Sequence, residues 1–233
     1  MLAQPAFVAF ASRDALMAAT AHRIGDALRS AIAERGQACA ALSGGSTPEK
    51  AYALLAQAPL DWNKVTFALV DERFVPPSHA ASNEAMLRRA LAPALANGAE
   101  LAPLWREAAS AKDAADTANA AYAALSFDIA VMGMGEDGHT ASWFPSSAGL
   151  NEALDPTTTR TVVPIHAPQA AGAADRLTLT GASISKAGAL VLVMAGVEKQ
   201  RQFEAIVGGT NDRAPVATLL GPDMPPLEVF WAP

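Results

Sequence analysis

Six short apolar runs recur along the chain, at residues 6–10, 38–42, 65–70, 127–132, 189–194 and 227–231, with turn residues and helical stretches between them. Runs without polar alternation suit strands covered on both faces. Between them, Ser12 can cap a helix that carries Leu16, Ile24, Leu28 and Ile32 near helical spacing and stops at Gly36. Residues 49–58 read as a second helix with Pro48 in its first turn. Ser110 and Asp113 form a capping-box-like start for a helix reaching Leu125, and residues 197–207 form another after Gly196. Strand alternating with helix predicts an α/β fold, a mostly parallel, doubly wound sheet flanked by helices. Residues 151–180 differ: 157–165 and 176–180 are short β-like pieces separated by Pro164, Pro168 and Gly172, and a small antiparallel excursion is expected there. Residues 91–103 read as an Ala/Pro/Gly-containing connection. With no fixed-period repeat and no low-complexity linker, residues 1–233 are expected to form one domain.

A chain of 233 residues buries about 70% of its unfolded surface, so one core suffices without covalent staples. Alanine supplies about a quarter of the residues, which favours helix, blurs amphipathic periodicity and softens element ends. Cys39, the lone cysteine, permits no intramolecular disulfide or thiolate metal cluster; its apolar run makes it a buried, inert thiol suited to a reducing compartment. Residues 1–11 lack the basic start and long apolar stretch of a signal peptide, and nowhere do about 18 apolar residues run uninterrupted. A soluble, cytoplasmic protein without a membrane partner is expected. The formal net charge is -6, and no basic run or interleaved aromatics occur, which argues against nucleic acid as a partner. An anionic ligand would need a local positive site.

Ligands of an open parallel sheet bind beyond the carboxyl ends of its strands, and three segments there carry chemistry. The first is Ser43-Gly44-Gly45-Ser46-Thr47-Pro48, between the strand ending at Leu42 and the following helix. Its glycines let the backbone approach a ligand, its hydroxyls donate, and the helix-start amides present the positive end of the dipole, so it reads as an anion cradle or as an ordinary helix-capping turn. The G-x-x-x-x-G-K-[ST] spacing is absent, which disfavours nucleoside triphosphates. The second is Asp71-Glu72-Arg73, followed by Pro76, Pro77 and a helix opening at Ser82-Asn83. Charges at a strand end are costly to bury, so they either pair with one another or meet a ligand.

The third segment, Gly133-Met134-Gly135-Glu136-Asp137-Gly138-His139-Thr140, matches G-x-G-x-x-G after a strand. As a dinucleotide site it fails: Pro145 arrives too early for a crossover helix, two acids stand where pyrophosphate would sit, and residues 157–161 offer no acid at the next strand. It offers instead a histidine beside carboxylates on glycine-permitted backbone, a candidate acid-base group. His22, His79 and His166 have no such setting and read as structural. No second histidine stands at i+2 to i+4 from His139, and no metal site is expected.

In this order the motifs S-G-G-S-T-P, V-D-E-R with S-N downstream, G-M-G-E-D-G-H-T-A-S-x-F-P, R-L-T-L-T and a Gly-Val-Glu-Lys segment resemble the 6-phosphogluconolactonase family over residues 6–231. That family belongs with glucosamine-6-phosphate deaminase, which carries a ring-opening glutamate a few residues beyond the histidine. Here the corresponding stretch holds Phe144 and no acid, which favours the lactonase. Trp143 replaces an expected leucine. The resemblance implies hydrolysis of 6-phospho-D-glucono-1,5-lactone to 6-phospho-D-gluconate, in the pentose phosphate pathway, with a sugar-phosphate lactone as the small-molecule partner and no cofactor or metal. It implies His139 as general base, Asp137 as its orienting group or a hydroxyl ligand, Arg73 at the carbonyl and Asp71 shaping the same loop or binding hydroxyls. The phosphate would be held by Gly44, Gly45, Ser46, Thr47, Arg176 and Lys199. A deaminase or isomerase of amino-sugar phosphates and a non-catalytic sugar-phosphate sensor stand as alternatives, and a monomer and a small homo-oligomer are both compatible with the sequence.

Overall fold

Residues 4–211 and 213–233, apart from the side chain of Ser46, are described by a computed structural model. In chain order they form β1 (Ala6–Ala9), α1 (Arg13–Arg35), β2 (Ala38–Leu42), α2 (Ser46–Leu55), β3 (Val65–Leu69), β4 (Asp71–Arg73), α3 (Asn83–Ala90), α4 (Ala92–Ala96), β5 (Glu100–Ala102), α5 (Ala111–Tyr122), β6 (Ile129–Gly133), α6 (Leu150–Leu154), β7 (Val162–His166), β8 (Asp175–Leu179), α7 (Gly181–Ile184), β9 (Leu190–Ala195), α8 (Val197–Val207) and β10 (Leu227–Ala232). The start and stop of α1 follow the sequence signals: the Ser12 hydroxyl accepts from the Ala15 amide, and Gly36 ends the helix at φ 77°. Leu16, Ile24 and Leu28 on one side of α1 are fully buried.

The larger sheet is parallel throughout, in the order β1-β10-β9-β6-β2-β3-β5. From β2 the chain runs outward through β3 to β5, then returns to β6 on the other side of β2 and continues outward through β9. The order therefore reverses between β2 and β6, and a crevice opens beyond their carboxyl ends. Leu42 is paired with Val131, and the Ser43 amide donates to the Val131 carbonyl at 3.0 Å, so the first and third sequence segments leave the sheet side by side. A second sheet, β4-β8-β7, is antiparallel. It begins where β3 passes through Val70, whose carbonyl accepts from Leu179 at 2.9 Å.

Several sequence expectations are corrected. Residues 71–73 are a strand, because β8 supplies a pairing partner. Residues 91–103 are not bare connection: they contain α4 and the edge strand β5, paired with β3. The second helix begins at Ser46, three residues early, since Pro48 in a first turn has no amide that the helix would use. The β-like piece at 157–165 becomes strand only from Val162. β1 is exposed along its length, as an edge strand paired with β10, and is not covered on both faces. The core packs on both sides of the central strands. Its largest fully buried side chains include Trp143, Tyr52, Tyr122 and Phe67. Among the described residues no helix is long and apolar enough to cross a membrane.

Candidate active site

The cradle after β2 is built by close approach. A Cβ on Gly44 would lie 2.0 Å from Asn83 Oδ1, so only glycine lets the α3 start pack against this loop. Gly45 sits at φ 113°, in the region that favours glycine, and precedes α2 without a side-chain cap, leaving first-turn amides free to meet an anion. The buried Tyr52 hydroxyl donates to the Ser43 carbonyl at 3.0 Å and ties the loop to α2. The side chain of Ser46, one of the expected phosphate ligands, lies outside the described residues.

Alternation along β4 sends Asp71 and Arg73 to one face and Glu72 to the other. Glu72 is fully buried and accepts four hydrogen bonds, from the amides of Arg73 (2.7 Å), Asn83 (2.8 Å) and Glu84 (2.7 Å) and from the Ser82 hydroxyl (2.9 Å). Burial pushes its carboxyl up, and these bonds only partly counter the shift. Of the two fates open to the Asp71-Glu72-Arg73 charges, Glu72 takes a third: it fastens the start of α3. Asp71 accepts from the Ser142 hydroxyl at 2.6 Å and from Asn83 Nδ2 at 3.3 Å, and Arg176 Nη1 stands 3.9 Å away.

Arg73 is directly opposite Arg176 across the β4–β8 register, which puts the two side chains on one face of the small sheet. Arg176 is buried, with Nε donating to Ala173 O at 2.8 Å and Nη2 to Ala171 O at 2.5 Å. Desolvation lowers its pKa, the neighbouring Arg73 adds to that, and Asp71 and Glu72 oppose it. Two guanidinium groups on one face of the small sheet, with the Asp71 carboxylate near that of Arg176, make a positive locus on an otherwise acidic chain.

His139 stands beyond β6. Its Nδ1 is 2.5 Å from Asp137 Oδ1, which also accepts from the His139 amide at 3.1 Å. Burial raises the Asp137 pKa, but the side-chain and backbone bonds from His139 outweigh it, and the carboxyl lies below its ordinary range. An ionised acceptor at Nδ1 selects the tautomer with the proton on that nitrogen and leaves the Nε2 lone pair free. A Cβ on Gly135 would fall 2.2 Å from both Cε1 and Nδ1, so the ring lies against glycine backbone. Gly138, at φ 78°, completes the turn, and the next helix does not begin until Leu150. The absence of a helix after the third glycine agrees with rejecting the dinucleotide reading.

These parts line an open cleft of about 260 Å³, just below the usual range of small-molecule sites. Gly44, Gly45, Thr47, Asp71, Arg73, His139, Arg176 and Lys199 line it; Asp137 stands behind the imidazole. The sequence reading overlooked Asn83, which lines the cleft and holds the Asp71 carbonyl at 2.9 Å, and Ser142, which holds the Asp71 carboxylate. Neither has a local signal, since Asn83 reads as a helix start and Ser142 as a loop hydroxyl. Ser43 Oγ and Arg73 Nε are buried polar atoms of cleft-lining residues with no hydrogen-bond partner among the described residues. His22, His79 and His166 are exposed and lie outside the cleft. Among the described residues no three His, Cys, Asp or Glu side chains gather as a metal centre requires.

The family model for glucosamine-6-phosphate isomerases/6-phosphogluconolactonase matches residues 11–231. The chain belongs to this family. Among its glucosamine-6-phosphate isomerase/6-phosphogluconolactonase relatives, a 6-phosphogluconolactonase of Mesorhizobium japonicum is 44% identical over 227 residues, covering 97% of this chain and 94% of its own. One of Pseudomonas putida is 39% identical over 220 residues, covering 94% and 89%. The crystal structure of a 6-phosphogluconolactonase from Shewanella baltica aligns with a TM-score of 0.93 at 33% identity, over 100% of both chains. That from Trypanosoma brucei aligns at 0.84 with 25% identity, over 98% and 96%.

Proposed function

We propose that the chain hydrolyses 6-phospho-D-glucono-1,5-lactone to 6-phospho-D-gluconate, with residues 1–233 acting as one catalytic unit. The observation that carries this reading is a histidine with a carboxylate at Nδ1 and a free Nε2, in the same cleft as an arginine pair, a lysine and an uncapped helix start. His139 Nε2 takes a proton from water as the water oxygen bonds to C1 of the lactone. The carbonyl electron pair moves onto its oxygen, where Arg73 balances the new charge. Collapse of this intermediate breaks the bond from C1 to the ring oxygen, and the imidazolium returns the proton to that oxygen. The product is an open-chain acid, which ionises. Asp137 holds the imidazole in one tautomer and offsets its charge when protonated. Asp71, fixed by Ser142 and Asn83, accepts from sugar hydroxyls.

The phosphate binds at Gly44, Gly45, Ser46 and Thr47, with Arg176 and Lys199 supplying positive charge; each charge-assisted bond contributes about 1.5–3 kcal/mol. Phe144, buried against His139, gives no carboxylate for ring opening, which supports hydrolysis over deamination. The test is lactone consumption by purified protein, with the lactone generated in situ and its spontaneous hydrolysis subtracted. His139→Ala is expected to cut turnover at least about 100-fold, with affinity for 6-phosphogluconate changed by no more than a few-fold. Undiminished turnover in that variant would remove His139 as the base. Ammonia release from glucosamine 6-phosphate would support the deaminase reading instead.

A further inference from the structure

The base and the cationic end of the cleft come from different sheets: His139 from the loop beyond β6, Arg176 from β8. One side chain touches both. The Phe144 ring centroid is 4.3 Å from that of His139, at an interplanar angle of 36°, and 5.3 Å from Arg176 Cζ. Phe144 is itself buried, and the loop that carries it is pinned on either side: the Trp143 indole donates to Leu179 O at 2.9 Å, and the Ser147 hydroxyl to Phe144 O at 2.9 Å. We propose that Phe144 is a positioning residue that fixes the direction of His139 Nε2 relative to the Arg176 guanidinium.

The imidazole turns on two side-chain torsions. Its hydrogen bond to Asp137 at Nδ1 couples them without setting both, so the ring could tilt and keep the bond. Contact with the Phe144 ring, together with the Gly135 backbone at the Cε1–Nδ1 edge, removes that freedom. An aromatic face has no lone pair in the ring plane and competes for neither nitrogen, so Nε2 stays free for water. The same ring meets a desolvated guanidinium, a contact of the cation–π kind. The phosphate-side cation and the base are thus referenced to one rigid body, and the sugar phosphate that binds at one end meets Nε2 at a set distance. This role rests on the proposed lactone hydrolysis.

The test is a double-variant cycle with Phe144→Leu, which keeps apolar bulk and removes the ring. Turnover, KM for the lactone and Kd for 6-phosphogluconate are measured in the wild type, in F144L, in H139A and in the double variant. F144L is expected to lower kcat by about 10- to 100-fold, the loss that a displacement of about 1 Å brings, and to weaken 6-phosphogluconate binding a few-fold. In the H139A background it should still weaken binding but leave the residual, background-subtracted rate unchanged, since no base remains to be aimed. An F144L enzyme with wild-type kcat would overturn the proposal, as would an equal fractional loss with and without His139. If F144L melts below the assay temperature, Phe144→Met enters the same cycle. A wild-type chain that leaves the lactone untouched would sink the function itself, whereas an active wild type indifferent to F144L would sink only this positioning role.

Discussion

At the scale of single residues, the site depends on what is missing from Gly135 as much as on what His139 carries. Its backbone needs no left-handed conformation, so an alanine there meets no backbone penalty. The added Cβ would instead stand 2.2 Å from two imidazole atoms and 2.9 Å from Asp137 Oδ1. The imidazole is a partly exposed side chain and can swing away, so the fold escapes at little cost while the base loses its aim. Gly135→Ala is therefore expected to melt within a few degrees of the wild type yet lose about 100-fold in kcat, on the sensitivity of proton transfer to small displacements. Thermal melting and steady-state kinetics on the same preparation check this. A variant that loses stability and activity together would show the glycine to be a folding requirement and the clash with His139 to be incidental.

At the scale of elements, the hinge of the site is the junction of β4 and α3, held by Glu72. Each of its oxygens accepts from two donors, and at least one of each pair is a backbone amide. Glu72→Gln must turn an NH2 group towards one pair, leaving a buried amide without an acceptor, at a cost of about 1–3 kcal/mol. Urea denaturation should show that loss, and activity should fall as well, because Arg73 and Asn83 are anchored through the same bonds. Equal midpoints for variant and wild type would refute the anchoring. Little of this junction was legible in the sequence: Asp71-Glu72-Arg73 has no strand propensity and becomes β4 only because β8 lies beside it. The three-residue β5 was hidden for a related reason, as an edge strand too short to carry a pattern. By contrast β2, an apolar run between Gly36 and the Gly44-Gly45 pair, could be read residue by residue, since burial on both faces imposes its composition. Within the site, backbone-determined parts such as the cradle and the histidine turn were legible from their glycines. Contacts that tertiary packing creates, Ser142 on Asp71 and Phe144 between His139 and Arg176, were not.

At the scale of the whole molecule, several titratable groups are enclosed around the central strands, and all are shifted the same way. Burial pushes the Cys39 thiol on β2 from its ordinary value near 9 up to about 12, with the Asp128 charge adding to the effect. Burial also raises the phenols of Tyr52 and Tyr122 above their usual range, against the hydrogen bonds at Ser43 and Leu69 respectively. An acid whose folded pKa is raised stays protonated in the native state while the unfolded chain has already released its proton. Its contribution is fully present below the unfolded pKa and is lost as pH rises through the folded one. For Cys39 the window runs from about pH 9 to about 12, with a slope of up to about 1.4 kcal/mol per pH unit. The tyrosines join it from about pH 10. Because β2 lies between β6 and β3, deprotonating Cys39 requires the sheet to part, so ionisation is linked to global unfolding and not to local fraying. The urea midpoint is accordingly expected to fall between pH 9 and 10 in the wild type and to hold steadier in Cys39→Ala over that same interval. Parallel midpoint curves for the two proteins would mean that the thiol ionises without opening the sheet.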